Sequence, residues 1–163
     1  MSTTRVSQLV TAAPAAVYAA LLDADAVARW RVPDGMAAVV HEFDAREGGR
    51  FRVSLTYGDP AAAGKSGGHT DTYHGHFVRL VPAEEVVEVV EFETDDPTLR
   101  GEMTMTTSLR PVPGGTEVTV EHRGLPDAVP AADNELGTRM ALAKLAALLE
   151  ERASAGVKGG GGG

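Results

Sequence analysis

The chain has 163 residues, 43% of them hydrophobic, and a formal net charge of −8 at pH 7. This length and apolar content fit one domain with a core of its own and argue against wholesale disorder. The absence of cysteine excludes disulfides, thiolate catalysis and cysteine-ligated zinc, and the acidic balance without a lysine or arginine cluster disfavours nucleic acid or an anionic membrane as partner.

The N-terminal part of the chain is predicted to form a strand and two short helices. The strand covers 5–11, and Pro14 suits the first turn of the next helix, where its missing N–H is not needed. A second short helix over 25–30 ends before Pro33. Because no apolar run with a cleavage site begins the chain and no stretch of about 18 apolar residues occurs, we expect a cytoplasmic protein without a membrane span.

Six β-patterned runs follow without a helix between them, which predicts antiparallel pairing of neighbouring strands. They cover 36–43, 50–57, 71–81, 84–93, 101–110 and a last strand that carries Val118, Val120 and His122. The run 50–57 alternates cleanly, as a half-buried strand does. The pattern in 71–81 leaves two alternatives, because Tyr73 and Phe77 favour one inward face whereas Val78 and Leu80 favour the other.

One long amphipathic helix over 133–152 is predicted to close the domain. Its apolar face consists of Thr138, Leu142, Leu145 and Leu149, widened by Ala141 and Leu148. A set on nearly the opposite face is either simple helix formers or a weak partner surface, and comprises Leu136, Met140, Ala143 and Ala147. We therefore predict one domain over 1–153 and a disordered, glycine-rich tail over 154–163.

The order and spacing of these elements carry a resemblance over about residues 5–152. The segments concerned are APAAVYAALLDADAVARW (13–30), HEFDAREGGRFRVSL (41–55), DTYHGHFVRLVPAEEVVEVVEF (71–92), PGGTEVTVEHRGLP (113–126) and NELGTRMALAKLAALLE (134–150). The chain resembles the SRPBCC (START-like) superfamily and, within it, the AHSA-like group, named after activators of heat-shock-protein ATPases. The resemblance implies an α+β helix-grip fold, in which a curved antiparallel sheet of about seven strands surrounds the long C-terminal helix, with two short N-terminal helices.

One departure from the family pattern lies at the start of the closing helix. Many members carry Gly-Trp there, whereas this chain has Gly137-Thr138. By the family pattern, a hydroxyl takes the place of a large ring on the face that looks into the cavity. The resemblance then implies a pocket that is larger or more polar at this end.

The apolar and aromatic residues of the inward faces are candidates for contact with a ligand. Apolar walls with a few placed polar groups are typical of small-molecule sites, and methionine adapts to irregular shapes. The candidate ligand-binding residues are Trp30, Phe43, Phe51, Leu55, Tyr57, Tyr73, Met103, Met105, His122, Thr138 and Leu142. Ordinary core packing explains the same residues and remains the alternative.

His122 is the best single polar candidate, because it continues the face of Val118 and Val120 toward the interior. A buried imidazole can orient a ligand or act as a general acid or base. The alternative is a core histidine that is satisfied by a neighbour such as Glu91 or Tyr73. His122 is therefore only a weak catalytic candidate.

Three other motifs lead to no cofactor or metal. The segment 58–66 has five residues between its glycines where a phosphate loop needs four, and it joins two strands rather than a strand and a helix, so it suggests a cover over the pocket or a long turn. His74 and His76 share a strand face, but a metal would need a third ligand such as His122. The Asp95-Asp96 pair fits a solvated loop better than a catalytic dyad.

The leading functional prediction is binding of a small hydrophobic or amphipathic molecule between the sheet and the C-terminal helix, by a monomer or weak homodimer and without covalent chemistry. The resemblance implies this, because the superfamily binds lipids, hormones and polyketides. The first alternative is a polyketide cyclase-like enzyme in which His122, Tyr57 and Tyr73 move protons. The second is a partner protein that activates a chaperone ATPase, although that role in the eukaryotic relative involves an additional domain.

Overall fold

The computed structural model describes residues 2–57 and 70–161. Within them, seven strands and three helices follow the predicted order. Their bounds are β1 Ser2–Val10, α1 Pro14–Leu21, α2 Ala24–Trp30, β2 Met36–Phe43, β3 Arg50–Tyr57, β4 Thr70–Val81, β5 Glu85–Phe92, β6 Met103–Val112, β7 Gly115–Leu125 and α3 Ala131–Gly161. The segment 58–66, considered above as a phosphate loop or a pocket cover, lies outside the described residues.

The strands form one curved antiparallel sheet in the order β1-β7-β6-β5-β4-β3-β2. From β2 to β7, each strand pairs with the strand that follows it in the chain. Strand β1 pairs instead with β7, which brings the N-terminus beside the last strand. Helix α3 packs against β1 and α2. This arrangement confirms the predicted α+β helix-grip fold.

A bulge in β4 explains why its facing was ambiguous in the sequence. The pairing with β5 shifts between Phe77 and Arg79, so Val78 is an extra residue and is 47% exposed. The insertion changes the phase of the alternation, and Phe77 before it and Leu80 after it both pack on the core. Both sets of apolar residues that seemed to compete in the sequence therefore contribute a residue to the same interior.

The predicted apolar face of α3 is confirmed. Leu142, Leu145, Leu148 and Leu149 are each at most 5% exposed. The helix begins two residues before the predicted start, and its backbone continues to Gly161 beyond the predicted end. Because extending a formed helix adds one hydrogen bond for each residue ordered, helical backbone can run past the last packed side chain. The division of the chain at residue 153 stays a prediction.

The described helices include none that is both long enough and apolar enough to cross a lipid bilayer.

Candidate functional site

A cavity of about 580 Å³ lies between the inner face of the sheet, the segment after α2 and the N-terminal half of α3. This volume falls within the roughly 300–1,000 Å³ of typical small-molecule sites. Nine of the eleven candidate ligand-binding residues lie on its wall: Trp30, Leu55, Tyr57, Tyr73, Met103, Met105, His122, Thr138 and Leu142. The structure thus brings these nine side chains together, and their contact with a ligand stays a prediction.

The other two candidates, Phe43 and Phe51, lie in an aromatic cluster rather than on the cavity wall. Their rings lie 5.6 Å and 5.2 Å from the ring of Phe77. A Cβ added at Gly75 would come within 2.8 Å of the Phe51 ring and 1.9 Å of the Val89 carbonyl oxygen. Only glycine lets this ring sit against β4, so Phe51 belongs to the packing of the sheet.

The centre of the site is a buried ion pair that the sequence analysis did not identify. The Nη1 atom of Arg31 donates to Oε1 of Glu88 over 2.7 Å, and the two side chains are 17% and 5% exposed. Arg31 follows the last residue of α2, whereas Glu88 shares the buried face of β5 with Val86 and Val90. The sequence offered one sign of this pair: in the alternation of β5, Glu88 falls on the same face as Val86 and Val90. A carboxylate buried among valines needs a cation beside it.

Arg31 is held on several sides. Its guanidinium carbon lies 5.3 Å from the ring centroid of Tyr73 and 5.9 Å from that of Phe51, and its Nη2 atom contacts the sulfur of Met105 at 3.1 Å. Burial is the largest single influence and lowers the pKa of Arg31, but the charge of Glu88, the interaction with Tyr73 and the hydrogen bond to Glu88 together raise the pKa above its ordinary value. Arg31 is therefore a fixed, permanently charged group whose charge Glu88 compensates.

The segment that carries Arg31 is fastened to the closing helix. Lys144 of α3 donates to the carbonyl oxygen of Val32 and forms an ion pair with Asp34 at 3.0 Å. Arg29 of α2 reaches Glu151 of α3 at 3.1 Å. These contacts hold α2 and α3 together at the edge of the cavity and set the position of Arg31.

His122 is buried as predicted, with 8% of its surface exposed, and it lies on the cavity wall. Its Nδ1 atom finds no hydrogen-bond partner within the described part of the chain, so neither Glu91 nor Tyr73 satisfies that nitrogen. Burial, followed by the nearby charge of Arg31, lowers the pKa of His122 to about 4. The imidazole is therefore neutral at pH 7.

Two tyrosines lie on the cavity wall, Tyr57 and Tyr73. The Tyr73 hydroxyl is buried and, like His122 Nδ1, has no partner among the described residues. Burial raises its pKa, with Arg31 acting in the opposite direction. Tyr57 donates to Oδ2 of Asp71 over 2.9 Å, and burial together with this bond raises the pKa of Tyr57 to about 12. Both phenols are thus protonated at neutral pH, and Asp71, which the sequence analysis did not single out, is 2% exposed.

The second apolar set on α3 is divided by the structure. Leu136, which is 53% exposed, and Met140 line the cavity, whereas Ala143 and Ala147 are exposed and lie away from its wall. Thr138 also faces the cavity, and its hydroxyl donates to the carbonyl oxygen of Asn134 over 2.8 Å. The Thr138 side chain therefore lies at the wall itself, with its hydroxyl bonded to the backbone of its own helix.

The histidine pair on β4 does not join His122. His74 lies on the outer face of the sheet, where its Nδ1 atom is 3.1 Å from Glu93, and it lines a shallow groove with His76. His122 faces the interior on the opposite side. Across residues 2–57 and 70–161, no group of three or more histidine, aspartate or glutamate side chains could hold a metal ion.

The chain is similar to one protein family and to several solved structures. The chain matches the family described as Activator of Hsp90 ATPase homolog 1-like protein over residues 11–150. Protein CV1439 of Chromobacterium violaceum is 34% identical, with a TM-score of 0.81 over 91% of this chain and 96% of that protein. No curated protein matches the chain.

Two further solved structures share the fold. The AHSA1 protein of Silicibacter pomeroyi is 22% identical, with a TM-score of 0.77 over 93% of this chain and 99% of that one. The AHSA1-like protein of Aeromonas hydrophila is 19% identical, with a TM-score of 0.70 over 93% of this chain and 94% of that one. Since the family match spans most of the chain and agrees with the fold and its order of elements, the protein belongs to the AHSA1-like group of the SRPBCC superfamily.

Proposed function

We propose that the protein binds a small hydrophobic or amphipathic molecule in the cavity between the sheet and α3, without covalent chemistry. The observation that carries the proposal is the wall itself. Trp30, Met103, Met105 and Leu142 provide apolar surface, and Tyr57, Tyr73 and His122 lie on the same wall. The fold of this family commonly holds hydrophobic ligands, which supports the same reading.

Burial of this apolar wall favours binding of an apolar ligand. Water at an apolar surface is displaced with a gain of roughly 25 cal/mol per Å² of area buried. A two-ring aromatic molecule that buries about 150 Å² would gain on the order of 4 kcal/mol from this term before the costs of association. A free energy of this size corresponds to a Kd of about 1 mM, so simple probes are expected to bind no more tightly than the millimolar range.

Catalysis has weaker support than binding. An efficient general base has a pKa near the operating pH, whereas burial and Arg31 lower the pKa of His122 to about 4. Glu88 is engaged by Arg31, and Tyr57 by Asp71. No observation favours the polyketide cyclase-like or the chaperone-partner alternative over binding, and the cytoplasmic location and monomeric or weakly dimeric state stay predictions.

Calorimetric titration with acetylnaphthalene tests the proposal. Thr138→Trp places a large ring at the wall and is expected to weaken binding at least tenfold. Ala143→Trp adds the same ring on an exposed position of the same helix and is expected to bind as the unmodified chain does. If the unmodified chain does not bind the probe, or if Thr138→Trp binds it equally well, the cavity is not the binding site.

A further inference from the structure

Arg31 has hydrogen-bond donors that the protein does not use. A guanidinium carries five N–H groups and no acceptor. Within the described residues, Nη1 donates to Glu88 over 2.7 Å and Nη2 to the sulfur of Met105 over 3.1 Å. The sulfur is only a weak acceptor, and Nε makes no hydrogen bond to the described chain. At least one donor of this permanent cation is therefore left without a protein acceptor.

The unused Nε atom of Arg31 is not sealed in the core. Among the described residues, the side-chain nitrogen and oxygen atoms that are both fully buried and without a partner are the Tyr73 hydroxyl and His122 Nδ1. Arg31 Nε also lacks a partner and is not one of them, so it keeps surface that solvent reaches. The whole side chain is 17% exposed and lies on the wall of the cavity. Arg31 is therefore within reach of a ligand there.

The charge around Arg31 limits which ligand suits it. Glu88 already compensates the guanidinium at 2.7 Å, and the wall carries three further carboxylates, from Asp34, Asp71 and Asp133. A ligand carboxylate would add an uncompensated negative charge in a partly desolvated space, which is costly. An uncharged oxygen accepts the same N–H and leaves the ion pair intact. Because hydrogen bonds from a charged donor are stronger than those between neutral groups, a neutral acceptor is favoured.

We propose that Arg31 is the specificity-determining residue of the cavity and selects uncharged molecules whose apolar body carries a hydrogen-bond acceptor, such as a ketone or ester oxygen, that takes the N–H of Nε. This inference rests on the proposed binding function and adds a chemical class and a recognition atom to it. The guanidinium carbon lies 5.3 Å from the ring centroid of Tyr73 and 5.9 Å from that of Phe51. A donor held in place in this way loses little conformational freedom when a ligand binds.

A double variant with a matched control tests the role of Arg31, by NMR titration with acetylnaphthalene that is isotopically labelled at the carbonyl carbon. Arg31→Met/Glu88→Leu removes the donor together with its counter-charge. It should weaken binding roughly tenfold and move the carbonyl signal of the bound probe toward its position in an apolar solvent. Arg52→Met/Glu93→Leu removes an ion pair of 2.8 Å on the outer face of the sheet and should change neither quantity. Unchanged affinity and an unchanged carbonyl signal in the Arg31 variant would overturn the inference.

A second measurement uses the unmodified chain and does not depend on the folding of a variant. The Nε–H proton signal of Arg31 should move when acetylnaphthalene is added, whereas that of Arg52, whose Nε donates to Glu93 over 2.8 Å, should stay in place. Naphthoate, the matched anion, should bind roughly tenfold more weakly than acetylnaphthalene. An Arg31 signal that stays in place while acetylnaphthalene binds, or naphthoate that binds as tightly, would overturn the inference and leave the binding function standing. If neither probe binds, the binding function itself is refuted.

Discussion

The buried pair of Arg31 and Glu88 gives the sharpest test of the structure, because its two charges lie where water reaches them poorly. Glu88→Gln leaves the Arg31 charge uncompensated, and Arg31→Met leaves the Glu88 carboxylate uncompensated. Breaking a buried pair from one side costs about 3–5 kcal/mol. The Arg31 side chain is 17% exposed, so solvent screens part of the charge and we expect the lower end, about 3 kcal/mol. For a chain of this length that corresponds to a loss of roughly 6–12 °C in Tm.

The double variant Arg31→Met/Glu88→Leu removes both charges and replaces the two side chains with unbranched and branched apolar ones. Its stability should return to within about 1 kcal/mol of the unmodified chain, because neither charge is then left buried and unpaired. Urea unfolding followed by circular dichroism measures all three variants.

The surface pair of Arg29 and Glu151 serves as the matched control. Its atoms are 3.1 Å apart, but its side chains are 56% and 65% exposed, so Glu151→Gln should cost less than about 1 kcal/mol. If the single variants at Arg31 and Glu88 are as mild as this control, or if the double variant is as unstable as the singles, the pair is not buried as described.

Two further predictions follow from His122 and from two glycines. Folding lowers the pKa of His122 from an ordinary 6.5 to about 4, so the unfolded chain binds the proton first as the pH falls. His122 should therefore lower the free energy of unfolding by roughly 2 kcal/mol at pH 5 and have no such effect above pH 7. The difference between the unmodified chain and His122→Phe, measured by urea unfolding from pH 8 to pH 4, should therefore change in favour of the variant as the pH falls. Gly137→Ala should raise stability by up to about 1 kcal/mol, since its Cβ would meet nothing within 4 Å in a helix, whereas Gly75→Ala should destabilise the chain strongly, since its Cβ would lie 1.9 Å from a backbone oxygen.

Each of these two predictions would be contradicted by one specific result. A stability difference at His122 that does not vary with pH would mean that the imidazole is hydrated rather than buried. Equal effects at Gly75 and Gly137 would mean that β4 does not approach the Val89 carbonyl of β5 and the Phe51 ring of β3 as closely as described.

Much of the fold follows from local patterns in the sequence. Alternation in 50–57 predicted β3 with its observed bounds, and the helical spacing of Leu142, Leu145 and Leu149 predicted which face of α3 is buried. The same periodicity oriented His122 toward the interior. Where one residue was inserted, at Val78, the pattern became ambiguous, because a bulge reverses the phase that any reading of alternation assumes.

The sequence alone identified only part of the site. Nine wall residues could be selected because they lie on inward faces, but Phe43 and Phe51 lie on inward faces too and are used in packing. Periodicity separates inside from outside and does not separate a core side chain from a cavity wall. That distinction depends on how closely opposite elements approach, as the Phe51 ring does over Gly75.

The sequence by itself determined the class of fold, the order of its elements and the faces that turn inward, because hydrophobic periodicity and turn residues act over a few neighbouring positions. Only the tertiary structure decided that Arg31 meets Glu88, 57 positions along the chain, and that the Tyr73 ring packs 5.3 Å from the Arg31 guanidinium carbon. Such meetings depend on strand register and on the docking of α2 against the closing helix. No local pattern carries that information, since it arises when distant segments pack.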